Sequence, residues 1–161
     1  MIRAGIGIDF HRFAPHRKLI LGGVEIAYRL GLVGHSDADV LTHAICDALL
    51  GAAGLGDIGR WFPDSDPQWK DISSLILLRR VRGMLGERGW RVNNVDATII
   101  AEEPRLAPYI PEMGARLAEV LGVDEDQINI KATTPEGLGP LGRGEGLAAW
   151  AVATLAAADQ P

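Results

Sequence analysis

Residues 37–53 restrict the fold more than any other stretch of the chain. There Val40, Leu41, Ala44, Ile45, Ala48 and Leu49 recur at helical spacing and leave one apolar stripe. A helix with such a stripe is stable in water only when the stripe is covered by another element. The flanking segments supply candidates. Residues 2–10 alternate weakly and predict a strand, and residues 18–26, with Gly22-Gly23 at their middle, predict a β-hairpin. Residues 54–69 are rich in turns. Residues 72–88 predict a second helix ended by Gly89, and residues 108–121 a third, with Pro108 at its start and Gly122 at its end. Residues 95–101 and 128–133 predict strands, and residues 134–146 a glycine-rich loop.

Residues 147–158 are open to two readings. Their alanine content favours a helix, whereas apolarity on all sides fits a strand buried on both faces. The order of elements predicts an α+β fold with a single mixed β-sheet and helices mainly on one face. A chain of 161 residues is expected to form one domain, spanning 1–161.

Composition narrows the function. A net charge of −5 repels a nucleic-acid backbone, so nucleic acid is not an expected partner, and an anionic ligand needs a metal, local cations or backbone N–H groups to hold it. One cysteine, Cys46, excludes an intrachain disulfide and a multi-cysteine zinc site. No signal-peptide pattern opens the sequence and no long uninterrupted apolar stretch occurs, so a cytoplasmic protein without membrane association is expected.

The chain has four histidines. Asp9 and His11 stand two apart on a predicted strand, so their side chains leave the same face. His43 lies on the following helix, four residues after Asp39. One carboxylate and two imidazoles make a complete three-ligand set for a catalytic zinc, with the fourth position open. Asp39 is expected to accept an imidazole N–H behind the ligands. On spacing alone the alternative is a chance D-x-H with His43 as a core residue. His16, between Pro15 and Arg17, reads as a surface residue.

Phosphate chemistry has candidates too. His35, Ser36 and backbone amides in GHSDAD stand at the predicted start of the first helix, where free N–H groups attract anions. Simple capping by Ser36 or Asp37 explains the same residues. Between Lys131 and Gly146, KATTPEGLGPLGRGEG brings Thr133, Thr134, Glu136 and Arg143, which suit phosphate oxygens and Mg²⁺. An ordinary flexible loop has similar composition. DIGRWFPDSD suits hydroxyl binding through Asp57 and Asp64, or is a run of turns anchored by Trp61 and Phe62.

Together DFH at Asp9 to His11, GHSDADVLTHAICDALLGAAGLGDIGRWFPDSDP, NVDATIIAEEPRLAPYIPEM and INIKATTPEGLGPLGRGEG resemble the 2-C-methyl-D-erythritol 2,4-cyclodiphosphate synthase family. The resemblance covers nearly the whole chain, with the motifs in order. It implies a homotrimer with active sites between neighbouring subunits. It implies conversion of 4-diphosphocytidyl-2-C-methyl-D-erythritol 2-phosphate to the 2,4-cyclodiphosphate and CMP, in the non-mevalonate isoprenoid pathway. Zn²⁺, or another divalent cation, is implied on Asp9, His11 and His43, and Mg²⁺ or Mn²⁺ at Glu136 on the diphosphate. His35 and Thr134 fall on positions that stabilise the transition state, and Ser36 on a substrate contact. Asp57, Ile58, Gly59, Phe62, Pro63, Asp64, Ser65 and Asp66 match the loop for the methylerythritol part. Ala101, Pro104, Arg105, Leu106, Ala107 and Thr133 match the cytidine pocket, and Pro140 and Arg143 a loop near substrate phosphate and the trimer axis. The resemblance also makes residues 147–158 a strand. Gly7-Ile8-Asp9-Phe10-His11 stands where the family usually has Gly-Phe-Asp-Val-His, Pro140 stands where Phe is common and Gly137 where Lys is common.

Overall fold

The computed structural model describes residues 1–158; residues 159–161 of the expected domain lie outside the described residues. Strand β1 (Ile2–Ala14) runs well past the predicted end at Phe10. It pairs antiparallel with β7 (Gly146–Ala157) from Ile2↔Ala156 to Arg12↔Gly146. β7 pairs antiparallel in turn with β5 (Trp90–Ile100), and β5 pairs parallel with β6 (Ile128–Thr133). The two-residue β4 (Gly31–Leu32) closes the other edge, giving the order β4-β1-β7-β5-β6. The sheet is therefore mixed, as expected. The hairpin of β2 (Leu19–Leu21) and β3 (Val24–Ile26) forms a separate two-stranded sheet instead of joining it. Gly22 and Gly23 both have positive φ, 57° and 73°, the conformation a two-residue hairpin turn needs.

The C-terminal segment is a strand because residues 147–157 lie between two long partners that satisfy its backbone on both edges; alanine's helix preference is worth less than that. Its burial differs from the expectation of two covered faces. Ala149, Ala151 and Ala153 are buried, whereas Trp150 and Val152 on the opposite face are exposed.

Helix α1 (Val40–Ala53) buries the whole stripe Val40, Leu41, Ala44, Ile45, Ala48 and Leu49 against β1 and β7. It comes unusually close. A Cβ on Gly7 would lie 1.9 Å from the Ala44 carbonyl oxygen, and one on Gly5 2.1 Å from that of Ala48. Helix α2 (Ile58–Trp61) is a single turn. Helix α3 (Ser74–Gly86) rests on α1 and β5, and α4 (Ile110–Leu121) on α3 and β6. A further short turn, α5 (Gly139–Gly142), interrupts the glycine-rich loop before β7.

The first helix starts three residues later than its apolar pattern suggests. Its N-cap is Asp39, not Ser36 or Asp37. Asp39 is fully buried and accepts from Thr42 N (3.0 Å), Thr42 Oγ1 (2.7 Å), Gly22 N (3.0 Å) and Gly23 N (2.8 Å). It thus joins the helix start to the hairpin turn and bonds no imidazole, which overturns the role expected for it beside the ligands. The same carboxylate occupies the helix terminus, so that end is not free to attract another anion. Burial, then the neighbouring charge of Asp37, pushes the Asp39 carboxyl above its usual range, against the pull of its hydrogen bonds.

Candidate active site

Asp9 and His11 leave the helix-facing side of β1, and His43 leaves the first turn of α1 toward them. The glycine-mediated closeness of α1 and β1 is what brings the three together. Asp9 Oδ2 lies 2.8 Å from His11 Nε2 and 3.2 Å from His43 Nδ1, and the two imidazole nitrogens are 3.2 Å apart. One ligand atom from each residue falls within 4.8 Å of the others, so the three can hold a metal ion.

The outward nitrogens say how the inward ones are presented. His11 Nδ1 is 2.6 Å from the Val33 carbonyl oxygen, which can only accept. His43 Nε2 lies 2.8 Å from Ser74 Oγ and 3.0 Å from Ser36 Oγ. A neutral His11 therefore turns a lone pair toward Asp9. A carboxylate and inward-facing imidazole lone pairs repel unless a cation or added protons stand between them, so the donor set fits a divalent ion. Without one, protons take the role. Burial opposes it, but the hydrogen bond to Asp9 and its charge raise the His11 pKa above 6.5. Burial likewise pushes Asp9 up, and the bonds and charges of His11 and His43 outweigh it, holding the carboxyl at about 2.

These three residues line a cleft of about 330 Å³ with Gly34, His35, Ser36, Ile58, Gly59, Phe62, Pro63, Asp64 and Ser65. The loop wall is tied down from several sides. Asp47, one turn after His43 on α1, accepts Ile58 N at 2.8 Å, and His35 Nε2 is 3.1 Å from the Asp66 carbonyl oxygen. Phe62 meets Trp69 edge to face at 5.1 Å, as the alternative reading of this segment as anchored turns has it, and also lines the cleft. Asp57 and Asp66 do not line this cleft. They cap α2 and the turn at Pro67–Trp69 through Arg60 N and Gln68 N.

The other expected residues lie elsewhere. Ala101, Pro104, Arg105, Leu106, Ala107, Thr133 and Thr134 line a second cavity of about 530 Å³, together with Tyr28, Glu102 and Glu103. Glu103 accepts from the Tyr28 hydroxyl at 3.5 Å and Glu102 from Gly137 N at 3.2 Å, so each acidic side chain has a donor. No residue is shared by the two cavities. Glu136 is exposed, stands outside the Asp9 group and has a positive φ of 55°; its amide donates to Thr134 Oγ1 at 3.2 Å. Pro140 lies on α5, and Arg143 just beyond it pairs with Glu145 at 2.9 Å; neither lines a cavity described above.

Sequence reasoning missed Ser74, the Val33 carbonyl and Tyr28. Ser73 and Ser74 fall inside the predicted helix 72–88, which in fact starts at Ser74, and nothing local tells which hydroxyl turns toward another helix.

An α+β scaffold with an Asp-His-His group able to hold a metal ion in one cleft, and a separate, larger cavity, has the features of an enzyme that acts on a small molecule. Over residues 2–156 the chain matches the YgbB family and belongs to it. It is 61% identical over 154 residues to a 2-C-methyl-D-erythritol 2,4-cyclodiphosphate synthase from Thermosynechococcus vestitus, covering 96% of each chain. Its fold is similar to that of the bifunctional IspDF from Campylobacter jejuni (TM-score 0.95, 43% identity), matching 99% of this chain and 43% of that longer one. It is also similar to IspF from Plasmodium falciparum in complex with CDP (TM-score 0.86, 33% identity), covering 98% of this chain and 97% of the other.

Proposed function

We propose that this chain converts 4-diphosphocytidyl-2-C-methyl-D-erythritol 2-phosphate to 2-C-methyl-D-erythritol 2,4-cyclodiphosphate and CMP, as a step of isoprenoid biosynthesis. The observation that carries the reading is the Asp9, His11 and His43 group in its cleft, in a chain so similar to a named synthase. Both reacting phosphates belong to one molecule, so the protein's work is to fold that molecule until they meet. Ile58, Gly59, Phe62, Pro63, Asp64 and Ser65 shape the wall for the methylerythritol part, with Asp57 and Asp66 holding that wall's turns. Ala101, Pro104, Arg105, Leu106, Ala107 and Thr133 receive the cytidine part. His35 and Thr134 steady the phosphates as charge moves, and Ser36 offers a hydroxyl to them.

Asp9, His11 and His43 would hold Zn²⁺, and Glu136 a Mg²⁺ or Mn²⁺ on the diphosphate; bound cations of this kind supply Lewis-acid neutralisation of phosphate charge. The 2-phosphate attacks the β-phosphorus and the α-phosphate leaves as CMP. A phosphate is already a nucleophile at neutral pH, so no protein base is required.

The two cavities share no residue within one chain. We therefore read the working site as one cavity from each of two neighbouring subunits in a homotrimer, with Pro140 and Arg143 toward the axis. The whole of 1–161 is taken as one such domain, acting in the cytoplasm, with no part for nucleic acid or membrane. No helix among the described residues is long and apolar enough to cross a membrane.

The test is incubation of the metal-loaded protein with the cytidyl substrate, followed by mass spectrometry. The expected products are CMP and the cyclic diphosphate in equal amounts, and His43→Ala is expected to abolish both. Release of a linear phosphate instead of the ring would identify a hydrolase and overturn the proposal.

A further inference from the structure

Behind His43 stands a second row of groups that the proposed reaction does not use. Ser74 is fully buried at the start of α3, and its Oγ lies 2.8 Å from His43 Nε2. On its other side the same hydroxyl meets Asp37 Oδ1, while Ser74 N donates to Asp37 Oδ2 at 3.0 Å. Asp37 Oδ1 also accepts from Asp39 N at 3.2 Å, so Asp37 is surrounded by donors.

The directions of these bonds follow from the atoms. A carboxylate accepts only, so the Ser74 hydroxyl proton points to Asp37. Ser74 Oγ then has only lone pairs left for the imidazole, and His43 Nε2 must carry the hydrogen. The lone pair of His43 is thereby placed on Nδ1, the atom that faces Asp9 and His11.

We propose that Asp37 and Ser74 form a relay that fixes the tautomer and ring orientation of His43 for metal binding, leaving the Ser36 hydroxyl for the ligand in the cleft. The relay rests on the reading of Asp9, His11 and His43 as a metal site. Ser36 Oγ is also 3.0 Å from His43 Nε2, but it lines the cleft, whereas Ser74 does not. One N–H cannot serve both hydroxyls equally. Ser74 is the shorter contact and the one whose own proton is already committed to Asp37. Asp37 and Ser74 are thus positioning residues acting through His43. The arrangement also links α3 mechanically to the ligand on α1, because the residue that orients the imidazole is the first residue of α3.

The experiment measures the zinc dissociation constant by chelator competition on stripped protein, and the His43 tautomer from imidazole ¹⁵N shifts of the stripped protein with the ring neutral. Wild type is expected to show hydrogen on Nε2. Ser74→Ala is expected to weaken zinc binding about 10- to 100-fold, the usual cost of losing an outer partner of a metal-ligating histidine. Ser36→Ala is expected to weaken zinc binding less than Ser74→Ala does, because its hydroxyl is the longer contact and has no carboxylate behind it. Unchanged zinc affinity in Ser74→Ala, or hydrogen on Nδ1 in wild type, overturns the relay. Should Ser74→Ala be recovered unfolded, Asp37→Asn carries the same test: an amide facing the hydroxyl can donate and turn the chain of bonds around. It should weaken zinc at least about 10-fold, and wild-type affinity there overturns the relay too. Failure of the metal reading looks different: wild type itself binds no zinc, or His43→Ala binds it as well as wild type.

Discussion

Asp9 holds imidazoles by charge when they carry protons, and with neutral imidazoles it can share a cation. The two states respond to pH in opposite ways. The Asp9 carboxyl is depressed to about 2, so its contribution to stability is present above 3.8 and fades as the pH falls toward 2. The His11 pKa is raised, so its contribution is fully present below 6.5 and is lost as the pH rises through the folded value. Metal binding needs both imidazoles deprotonated and strengthens as the pH rises. From about pH 6 to about pH 8, chelated protein is therefore expected to lose melting temperature while the gap to zinc-loaded protein widens. A constant gap, or chelated protein that gains stability over that range, contradicts the balance described for Asp9 and His11. The grouping of Asp9, His11 and His43 was legible in the sequence as residue types on one strand face and one helix turn. What was not legible is which buried carboxylate does what. Asp39 and Asp37 are two apart in GHSDAD, and only the left-handed backbone at Ala38, φ 57°, decides that Asp39 turns to the hairpin and Asp37 to α3.

At the level of elements, the site depends on how near α1 lies to β1. Gly5 and Gly7 alternate with Ile6 and Ile8 along the strand, so the helix meets backbone on one face while bulky side chains leave the other. Gly7→Ala would place a methyl 1.9 Å from the Ala44 carbonyl oxygen and 2.7 Å from Ala48 N. Neither backbone atom can swing aside, so the helix must move. The expected cost is about 3 kcal/mol in urea unfolding, together with weaker zinc binding as His43 is carried away from Asp9 and His11. Gly114→Ala on α4 is the control, since a Cβ there meets nothing within 4 Å. It should be stabilising by about 0.5 to 1 kcal/mol. Equal unfolding midpoints for the two variants would show that the closeness of α1 to β1 is not what holds the site. The periodicity of residues 37–53 revealed the helix and its buried face. Its start was misplaced because acidic residues at 37 and 39 cap equally well by type, and the tertiary bonds of Asp39 to Gly22 and Gly23 settle the matter. The strand β7 was beyond local propensity altogether, because what makes it a strand is its position between β1 and β5.

For the molecule as a whole, the sheet face opposite the helices is the part that a single chain leaves unresolved. Ile6 is 62% exposed, Phe10 57%, Val152 46% and Ile8 43%, and pairing sets Ile8 beside Trp150 and Ile6 beside Val152. An apolar patch of this kind marks an interaction surface. A trimer of the kind proposed would cover it and would bring together two cavities that share no residue within one chain. Wild type is expected to sediment at three times the 17.2 kDa chain mass, and Ile8→Glu to shift it toward the single-chain value. A sharper consequence concerns how the sites are shared. His43→Ala damages the metal cleft and leaves the Thr134 cavity intact; Thr134→Ala does the reverse. If each site takes its cleft from one subunit and its second cavity from a neighbour, trimers co-refolded from equal amounts of these two inactive variants contain sites with both halves intact. Random mixing makes that about a quarter of all sites, because the two halves are drawn independently from different chains. Activity near a quarter of wild type is therefore expected from the mixture, appearing only after the chains exchange. If each chain instead built a complete site by itself, every site in the mixture would carry one lesion, and no activity would return at any mixing ratio.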